Sequence, residues 1–388
     1  MSALRERLED AEVPDAAGAQ ARSWPVVETA FAGRRPRRRP AHGRAMALAM
    51  ALTLLAVTVA AASGPPGVAV RGWVKEVLGG VAPPRPRSAL GPLPTGRMLV
   101  TSPRGAWIVG RDGSRRLLGG YAGASWSPRG RYVAAWRGAE LRAVAPDGRV
   151  AWSLRTPGRV ADARWSPDGF RIAYRRAGGL GVVAGDGTGA RPLAQRVRAA
   201  TPAWRPGAPH TLAWVDAGGR VVVRDADTGR TVWRSPAPAG RARELLWSSD
   251  GRLLLVRGAD GLRVADVRAG RVRRVRLAAG ERAVAAAWAP RGRRLAVVVR
   301  TREGEVSRVL VGPAGPRVPE RPVFATTGRL TSLAWSPDGR RVLVRWAQAD
   351  EWILLPAAGR GRIVAIAPVA RRFGGPPTVR GWCCPGAP

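Results

Sequence analysis

The sequence is poor in the residues that metal sites and nucleophilic enzymes use. Its 388 residues include two cysteines, Cys383 and Cys384, and two histidines, His42 and His210. A structural zinc site takes four cysteine or histidine ligands, so almost nothing remains to build one. The G-x-S-x-G elbow of serine hydrolases is also absent. The sequence therefore predicts no metal site and no cofactor, and it argues against an enzyme.

Lysine is almost absent as well, because Lys75 is the only lysine among 65 basic residues. With 27 acidic residues, the net charge is +38. An arginine-biased coding composition accounts for this excess as readily as selection for an anionic ligand, so we predict no nucleic-acid partner. Hydrophobic residues make up 45% of the chain, which is enough for the core of one large or two modest domains.

One uncharged segment is long enough to cross a membrane. Residues 45–62 are apolar apart from Thr53 and Thr58, and about 18 helical residues span a thin hydrocarbon core. Arginines within residues 33–39 precede the segment, and such residues stay on the cytoplasmic side. We predict a transmembrane helix over residues 45–63. A cleaved signal peptide is the alternative, although its charged leader would be unusually long.

This topology assigns the flanking segments. Residues 1–44 form a cytosolic basic segment, in which Trp24, Val27 and Phe31 fall on one helical stripe. It is either a tail that touches anionic lipid or, over residues 2–31, a docking helix for a cytosolic regulatory partner. Residues 64–96 are rich in proline and predict a stiff extracytoplasmic linker.

A tryptophan motif of the form W-S-P-D-G recurs every 39 to 47 residues through the rest of the chain. Proline presets φ, serine or aspartate bonds nearby backbone N–H groups, and glycine takes positive φ, so the motif predicts a tight turn between strands. The six copies begin at Trp126, Trp165, Trp204, Trp247, Trp288 and Trp335, and a degenerate seventh begins at Trp382. The turn glycines are Gly130, Gly169, Gly251, Gly292 and Gly339. The matching aspartates, Asp168, Asp250 and Asp338, are interpreted as turn formers rather than cation ligands.

Each repeat contains apolar runs for four short strands, which is the pattern of an all-β, β-propeller fold. Residues 97–118 supply three strands without a preceding motif, whereas the Trp382 copy has no strands after it. We therefore expect residues 377–382 to complete the sheet begun by residues 97–118. This arrangement predicts seven blades over residues 97–388. Six blades with a free last strand are the alternative.

The repeated W-S-P-D-G motif resembles the WD-repeat-like propellers of TolB-type periplasmic proteins over about 290 residues. The resemblance implies a rigid binding disc outside the cytoplasmic membrane. The copies at Trp204, Trp288 and Trp382 depart from the motif. The order of a short cytosolic segment, a single span and an outer domain is also similar to that of membrane-bound anti-sigma factors, but their zinc motif is absent.

Two further features carry alternatives. His210 is interpreted as a histidine at a turn or strand edge, with a general base as the alternative. Cys383 and Cys384 form a vicinal disulfide, crosslink to another chain or stay reduced.

We expect a single-pass protein of the cytoplasmic membrane, with its N-terminus inside and its propeller outside. The propeller is predicted to be a non-enzymatic scaffold that binds a protein, peptide or glycan of the envelope. A one-span regulator that binds a cytosolic factor is the second hypothesis. A propeller hydrolase or lyase that uses His210 is the third.

Overall fold

A computed structural model describes residues 90, 93–301, 303, 305–318 and 322–384. All of them belong to the unit Gly64–Pro388. The predicted cytosolic segment, transmembrane helix and most of the linker lie outside the described residues. Within the described part of the chain, no helix is both long and apolar enough to cross a membrane.

Twenty-eight strands and one short helix make up the described part of the chain, and they are grouped below by sheet, or blade. Blade 1 contains β1 (Arg97–Ser102), β2 (Gly105–Val109) and β3 (Arg115–Gly119). Blade 2 contains β4 (Gly123–Trp126), β5 (Val133–Arg137), β6 (Glu140–Val144) and β7 (Val150–Arg155). Blade 3 contains β8 (Val160–Trp165), β9 (Arg171–Arg176), β10 (Gly179–Ala184) and β11 (Arg191–Ala194). Blade 4 contains β12 (Ala203–Arg205), β13 (Ala208–Val215), β14 (Val221–Asp225) and β15 (Thr231–Arg234).

The remaining blades follow the same plan. Blade 5 contains β16 (Ala242–Trp247), β17 (Leu253–Gly258), β18 (Gly261–Asp266) and β19 (Arg271–Val275). Blade 6 contains β20 (Glu281–Trp288), β21 (Arg294–Thr301), β22 (Val306–Pro313) and β23 (Phe324–Thr327). Blade 7 contains β24 (Leu330–Trp335), β25 (Arg341–Trp346), β26 (Glu351–Pro356) and β27 (Val364–Ile366). Helix α1 (Ala370–Phe373) then leads to β28 (Thr378–Cys383), which returns to blade 1.

Every blade is a four-stranded antiparallel sheet, and six of them are built from consecutive strands. The remaining sheet, blade 1, has the order β28-β1-β2-β3. The inner strand of a blade is the first strand of its sheet, and these strands are β28, β4, β8, β12, β16, β20 and β24. Each inner strand contacts the inner strands of the two neighbouring blades, so the blades close into a ring. The fold is therefore a seven-bladed β-propeller, as predicted, and the six-bladed alternative is wrong.

Burial follows the position of a strand within its blade. The second strands β5 and β25 are almost wholly buried, because adjacent blades cover both of their faces. The outer strands β7 and β19 expose most of their residues. The run Arg271–Arg274 is exposed while Val275 is buried, as expected for arginines on the solvent side of an outer strand.

Closure joins segments from opposite ends of the propeller. Met98 of β1 lies opposite Trp382 of β28, and the paired strand is one residue later than the predicted 377–382. Leu90 and Leu93, which the sequence assigned to the linker, are 7% and 4% exposed and pack in the core shared by blades 1 and 7. Packing against the propeller therefore begins before Arg97, because these leucines remove apolar surface from water.

The W-S-P-D-G segment of blade 3 forms the tight turn that its residue types predict. The Ser166 hydroxyl donates to Asp168 Oδ1 (2.5 Å) and accepts from the Arg171 N–H (2.9 Å). Asp168 Oδ1 also accepts from the Phe170 N–H (3.0 Å), and the Gly169 N–H donates to the Ser166 carbonyl (3.0 Å). The buried serine thus gains hydrogen bonds that offset its removal from water.

The motif tryptophans connect one blade to the next. In four of them, the indole Nε1–H donates to the carbonyl of the residue just before the tryptophan of the preceding blade. Each bond therefore ties two inner strands at the same height. The pairs are Trp204 with Arg164 (2.9 Å), Trp247 with Ala203 (3.1 Å), Trp288 with Leu246 (2.9 Å) and Trp335 with Ala287 (2.9 Å).

Three tryptophans depart from this pattern near the closure. Trp382 Nε1 donates to the Thr95 carbonyl (2.6 Å), on the other chain segment of blade 1. The buried Nε1 atoms of Trp126 and Trp165 have no hydrogen-bond partner among the described residues. The repeat therefore supplies natural pairs of tryptophans with and without this bond.

Replacing Trp335 with Phe is expected to lower the free energy of unfolding by about 1 kcal/mol more than replacing Trp165 with Phe. Both substitutions remove similar ring area from nearly buried positions, but only Trp335→Phe deletes a hydrogen bond and leaves a carbonyl without its partner. Chemical denaturation of the two variants measures the difference. Equal losses would show that the indole bond contributes nothing to the blade contact.

Deleting residues 376–388 is expected to lower the melting temperature by roughly 10 °C or more. The deletion removes β28, which exposes the edge of β1 and breaks the ring. Removing residues 385–388 alone leaves β28 in place and is the control. Thermal unfolding followed by circular dichroism tests this, and an unchanged melting temperature after the longer deletion contradicts the role of closure.

Candidate functional site: the central channel

The seven inner strands surround a central channel, and several of them carry a β-bulge there. In β16 the pairing shifts between Ala242 and Glu244, so Arg243 is the extra residue. In β28 the extra residue is Arg380. A bulge re-aims the side chain of its extra residue, and both arginines are exposed although they lie on inner strands. The bulges therefore place charge at the channel.

Four charged residues interact across this channel. Arg380 belongs to blade 1, Asp162 and Arg164 to blade 3, and Glu244 to blade 5. These blades are not neighbours, so their inner strands face one another across the axis. Arg164 Nη1 lies 3.6 Å from Asp162 Oδ1. Although Arg380 is exposed to the channel, the surrounding strands remove it from bulk water. This desolvation and the charge of Arg164 lower the pKa of Arg380, while Asp162 and Glu244 oppose that change.

Hydrogen bonds fix the charges of this channel cluster. Arg380 Nε donates to Thr101 Oγ1 (2.7 Å) on β1, and Arg257 Nε donates to Glu244 Oε2 (2.8 Å). With Arg257 included, the cluster contains three arginines and two carboxylates. It thus presents donors and acceptors in a fixed pattern with one net positive charge, which suits a polar segment that carries an acidic group.

The residues singled out from the repeat lie elsewhere, at the contacts between blades. The motif tryptophans pack between neighbouring sheets, and none belongs to the channel cluster. The five turn glycines have φ values of 65° to 83°, in the region that favours glycine. They are Gly130, Gly169, Gly251, Gly292 and Gly339.

The turn aspartates bind their own turns. Asp250 and Asp338 accept from the hydroxyls of Ser248 (2.6 Å) and Ser336 (2.5 Å), as Asp168 does from Ser166. Burial raises the pKa of Asp250 and Asp338, but these hydrogen bonds outweigh it, so both pKa values lie below the ordinary range. Within the described residues, no group of three or more His, Cys, Asp and Glu side chains is arranged to hold a metal ion.

His210 lies on β13 and contacts a surface charge cluster. Its Nδ1 is 2.6 Å from Asp227 Oδ2, and Arg171 donates to both oxygens of the same carboxylate (2.8 and 2.6 Å). The His210 side chain is 48% exposed, and no hydroxyl or thiol of the described residues bonds to its ring. The cluster ties blade 3 to blade 4. The Arg171 hydrogen bonds are the main reason why the pKa of Asp227 is lowered.

The cysteines lie where the propeller closes. The structure joins Cys383 and Cys384 by a disulfide, one of the three states considered from the sequence. The Cys384 Sγ lies 3.8 Å from the Pro128 carbonyl in the turn of blade 2. A side chain at Gly130 would meet both sulfur atoms, so the pair packs against the neighbouring motif turn.

An apolar crevice opens between blades 5 and 6. Val264, Val275, Leu295 and Val297 line it together with Arg317, and its enclosed volume is about 10 Å³, room for about one water molecule. Ligand sites for small molecules are usually larger, with several convergent polar groups. The channel cluster is therefore the stronger candidate for a binding site.

Comparison with known proteins identifies the fold. No family model matches the sequence, and no curated protein matches it. The Cps50 (Swd1) β-propeller domain of Myceliophteria thermophila has a TM-score of 0.51 at 17% identity, over 64% of this chain and 86% of that one. Hsv2 of Kluyveromyces lactis has a TM-score of 0.51 at 14% identity, over 67% and 89%. These two structures support a WD40-like propeller.

A third similar structure is the hydrazine synthase of Kuenenia stuttgartiensis, with a TM-score of 0.48 at 15% identity, over 60% of this chain and 76% of that one. At such identities, the similarity of the first two structures concerns the fold alone. The channel charges of this chain must therefore be interpreted from its own residues.

Sequence reasoning missed the channel cluster, although a signal was present. Asp162, Arg164 and Glu244 interrupt runs that otherwise read as buried strands ending at a motif tryptophan. A charged residue in such a run is unexpected, because burial of a charge is unfavourable. The bulge that turns Arg380 toward these residues depends on pairing between strands, which the sequence does not display.

Asp227→Asn is expected to lower the free energy of unfolding by about 1 kcal/mol at neutral pH, since the half-exposed site screens the charges. The folded pKa lies below the ordinary value of 3.8. Ionic stabilisation is therefore complete above that value and is lost as pH falls through the folded pKa. The difference between wild type and variant should shrink below about pH 4.

Denaturant unfolding at pH 7, 4 and 2.5 measures this effect. Asp147→Asn is the matched control, because its carboxylate accepts a backbone N–H and no arginine side chain of the described residues reaches it. An equal loss in both variants, or a difference that is constant with pH, would contradict the ionic role of Asp227.

Proposed function

We propose that this chain is a membrane-anchored, non-enzymatic scaffold whose extracytoplasmic propeller binds a polypeptide ligand at the mouth of its channel. The ligand presents an acidic group to the channel arginines. The bound face is the loop face, defined here as the face where each inner strand begins, opposite the W-S-P-D-G turns. Arg243 lies near this end of β16.

The observation that carries this proposal is the convergence of charged side chains from blades 1, 3 and 5. Folding does not require charges on inner strands, and burial next to other charges is unfavourable. The disc holds these groups in place by hydrogen bonds, so a ligand need not order them on binding. Such preorganisation favours affinity and specificity for a polar ligand.

The membrane part of the proposal rests on the sequence. The uncharged segment over residues 45–63, the arginines before it and the resemblance to TolB-type propellers support a single span with the propeller outside. The non-enzymatic part is supported by the surroundings of His210, whose Nδ1 faces a carboxylate that Arg171 already occupies.

Photocrosslinking tests the binding face. With p-benzoyl-phenylalanine in place of Arg243, the full-length protein in native membranes should form a polypeptide adduct. The same probe in place of Arg273, which is also an exposed arginine but lies on outer strand β19, should not. Mass spectrometry identifies the adduct. Adducts at neither position, or equal adducts at both, would overturn the channel mouth as the binding site.

The experiment also separates the scaffold from a transmembrane regulator. A version that lacks residues 2–31 should give the same adduct, because the proposed ligand binds outside. Affinity recovery of a cytosolic factor only with the full-length chain would instead favour the regulator. His210→Ala should leave adduct formation unchanged, and a hydrolytic activity lost in that variant would overturn the non-enzymatic assignment.

A further inference from the structure

Three arginines converge at the loop-face end of the contact between blades 6 and 7. Arg282 of β20 lies directly opposite Arg300 of β21, so the two side chains share one face of the sheet. Val298, two residues before Arg300, packs in the core between these two blades, so this face looks toward blade 7. The pairing places two positive charges side by side where the blades meet.

The third arginine is fixed by its backbone. Ser307 lies opposite Arg300 on the other side, and its hydroxyl donates to the Gly328 carbonyl (2.6 Å) and accepts from the Leu330 N–H (3.3 Å). These bonds bracket Arg329, whose own N–H donates to Gln348 Oε1 (2.7 Å). The backbone of Arg329 is thus held beside Ser307, the residue that pairs with Arg300, and the charge of Arg329 acts on Arg300.

No acid within the described residues neutralises this arginine triad, which consists of Arg282, Arg300 and Arg329. The buried Nε of Arg300 has no hydrogen-bond partner there. Burial and the two neighbouring arginines lower the pKa of Arg300, and no acid opposes them. The nearest carboxylate in sequence, that of Glu281, binds Arg308 on the opposite face of blade 6.

Other blades show how such an arginine is normally balanced. In blade 5, Arg257 of the second strand lies opposite Glu244 and bonds to it. In blade 3, Arg175 lies opposite Asp162, although its buried Nε, like that of Arg300, has no hydrogen-bond partner among the described residues. In blade 6, the inner strand β20 is eight residues long, and its residue Arg282, rather than an acid, lies opposite Arg300. Like charges in direct opposition are destabilising, so this arrangement calls for an anion.

From this geometry we infer that the triad is a binding site for a phosphate-type oxyanion. A carboxylate has two oxygens, which a single guanidinium group satisfies in bidentate fashion. Three guanidinium groups, two exposed and one half-buried at its base, instead suit a dianion with three or more free oxygens. The ligand is either free phosphate or a phosphate monoester headgroup.

This inference goes beyond the proposed scaffold function and does not depend on it. The site lies between blades 6 and 7, whereas the channel cluster uses blades 1, 3 and 5. Loss of the Arg243 adduct would therefore leave oxyanion binding intact, and loss of oxyanion binding would leave the adduct.

Isothermal titration tests the site with inorganic phosphate and the full-length protein in phosphatidylcholine nanodiscs, at constant pH and ionic strength. Arg300→Gln and Arg329→Gln should each weaken phosphate binding by about tenfold or more, since each removes charged hydrogen bonds. Arg273→Gln, on outer strand β19, is the matched control and should bind as wild type does. Phosphate binding that is absent in wild type, or equal in all four proteins, would overturn the inference.

A second readout guards against a folding defect. In chloride buffer, Arg300→Gln should raise the melting temperature, because it removes a crowded charge, and added phosphate should raise it less than in wild type. A lower melting temperature in chloride would contradict the unneutralised triad.

Nanodiscs that contain phosphatidic acid separate the two sources of the ligand. If phosphatidic acid displaces bound phosphate from the wild type but not from Arg300→Gln or Arg329→Gln, the ligand is a lipid headgroup. Displacement by soluble glycerol phosphate alone identifies a soluble ligand.

Discussion

The pairing of β28 with β1 is the interaction on which the rest of the structure depends. Six blades consist of consecutive strands, but blade 1 is completed by a strand from a segment more than 270 residues away along the chain. Without that strand, the ring has an open edge and its inner strands no longer face one another across an axis. Closure thus creates the channel as well as the domain.

The tryptophan bonds transmit this constraint through five consecutive blades, from blade 7 to blade 3. Because each indole of the regular set donates to the blade before it, movement of one inner strand strains the next. A ring held in this way keeps charged groups at fixed distances even where they repel. Arg380 lies outside this bonded set, and its hydrogen bond to Thr101 on the paired strand β1 holds it within reach of the Arg164 charge. The closed ring explains why a binding site can be assembled from blades that do not touch.

The sequence predicted what is local and missed what depends on pairing. The turn of Ser166, Asp168 and Gly169 closes within a few residues, so residue types alone specify it. Blade number followed from counting these turns. The opposition of Arg282 and Arg300 depends instead on a bulge in β20 and on the register of a hairpin. Neither leaves a mark in composition or spacing, so the triad and the channel cluster required the structure.

The arginine excess therefore has two physical meanings in this chain. On outer strands such as β19, guanidinium groups point to water, where solvent screens them and their identity matters little. Within the ring, the same side chain is held by partners such as Glu244 or left without one, as at Arg300. A biased composition explains the first group fully. It does not explain the second, because a charge kept unneutralised at a blade contact lowers stability unless a ligand compensates for it.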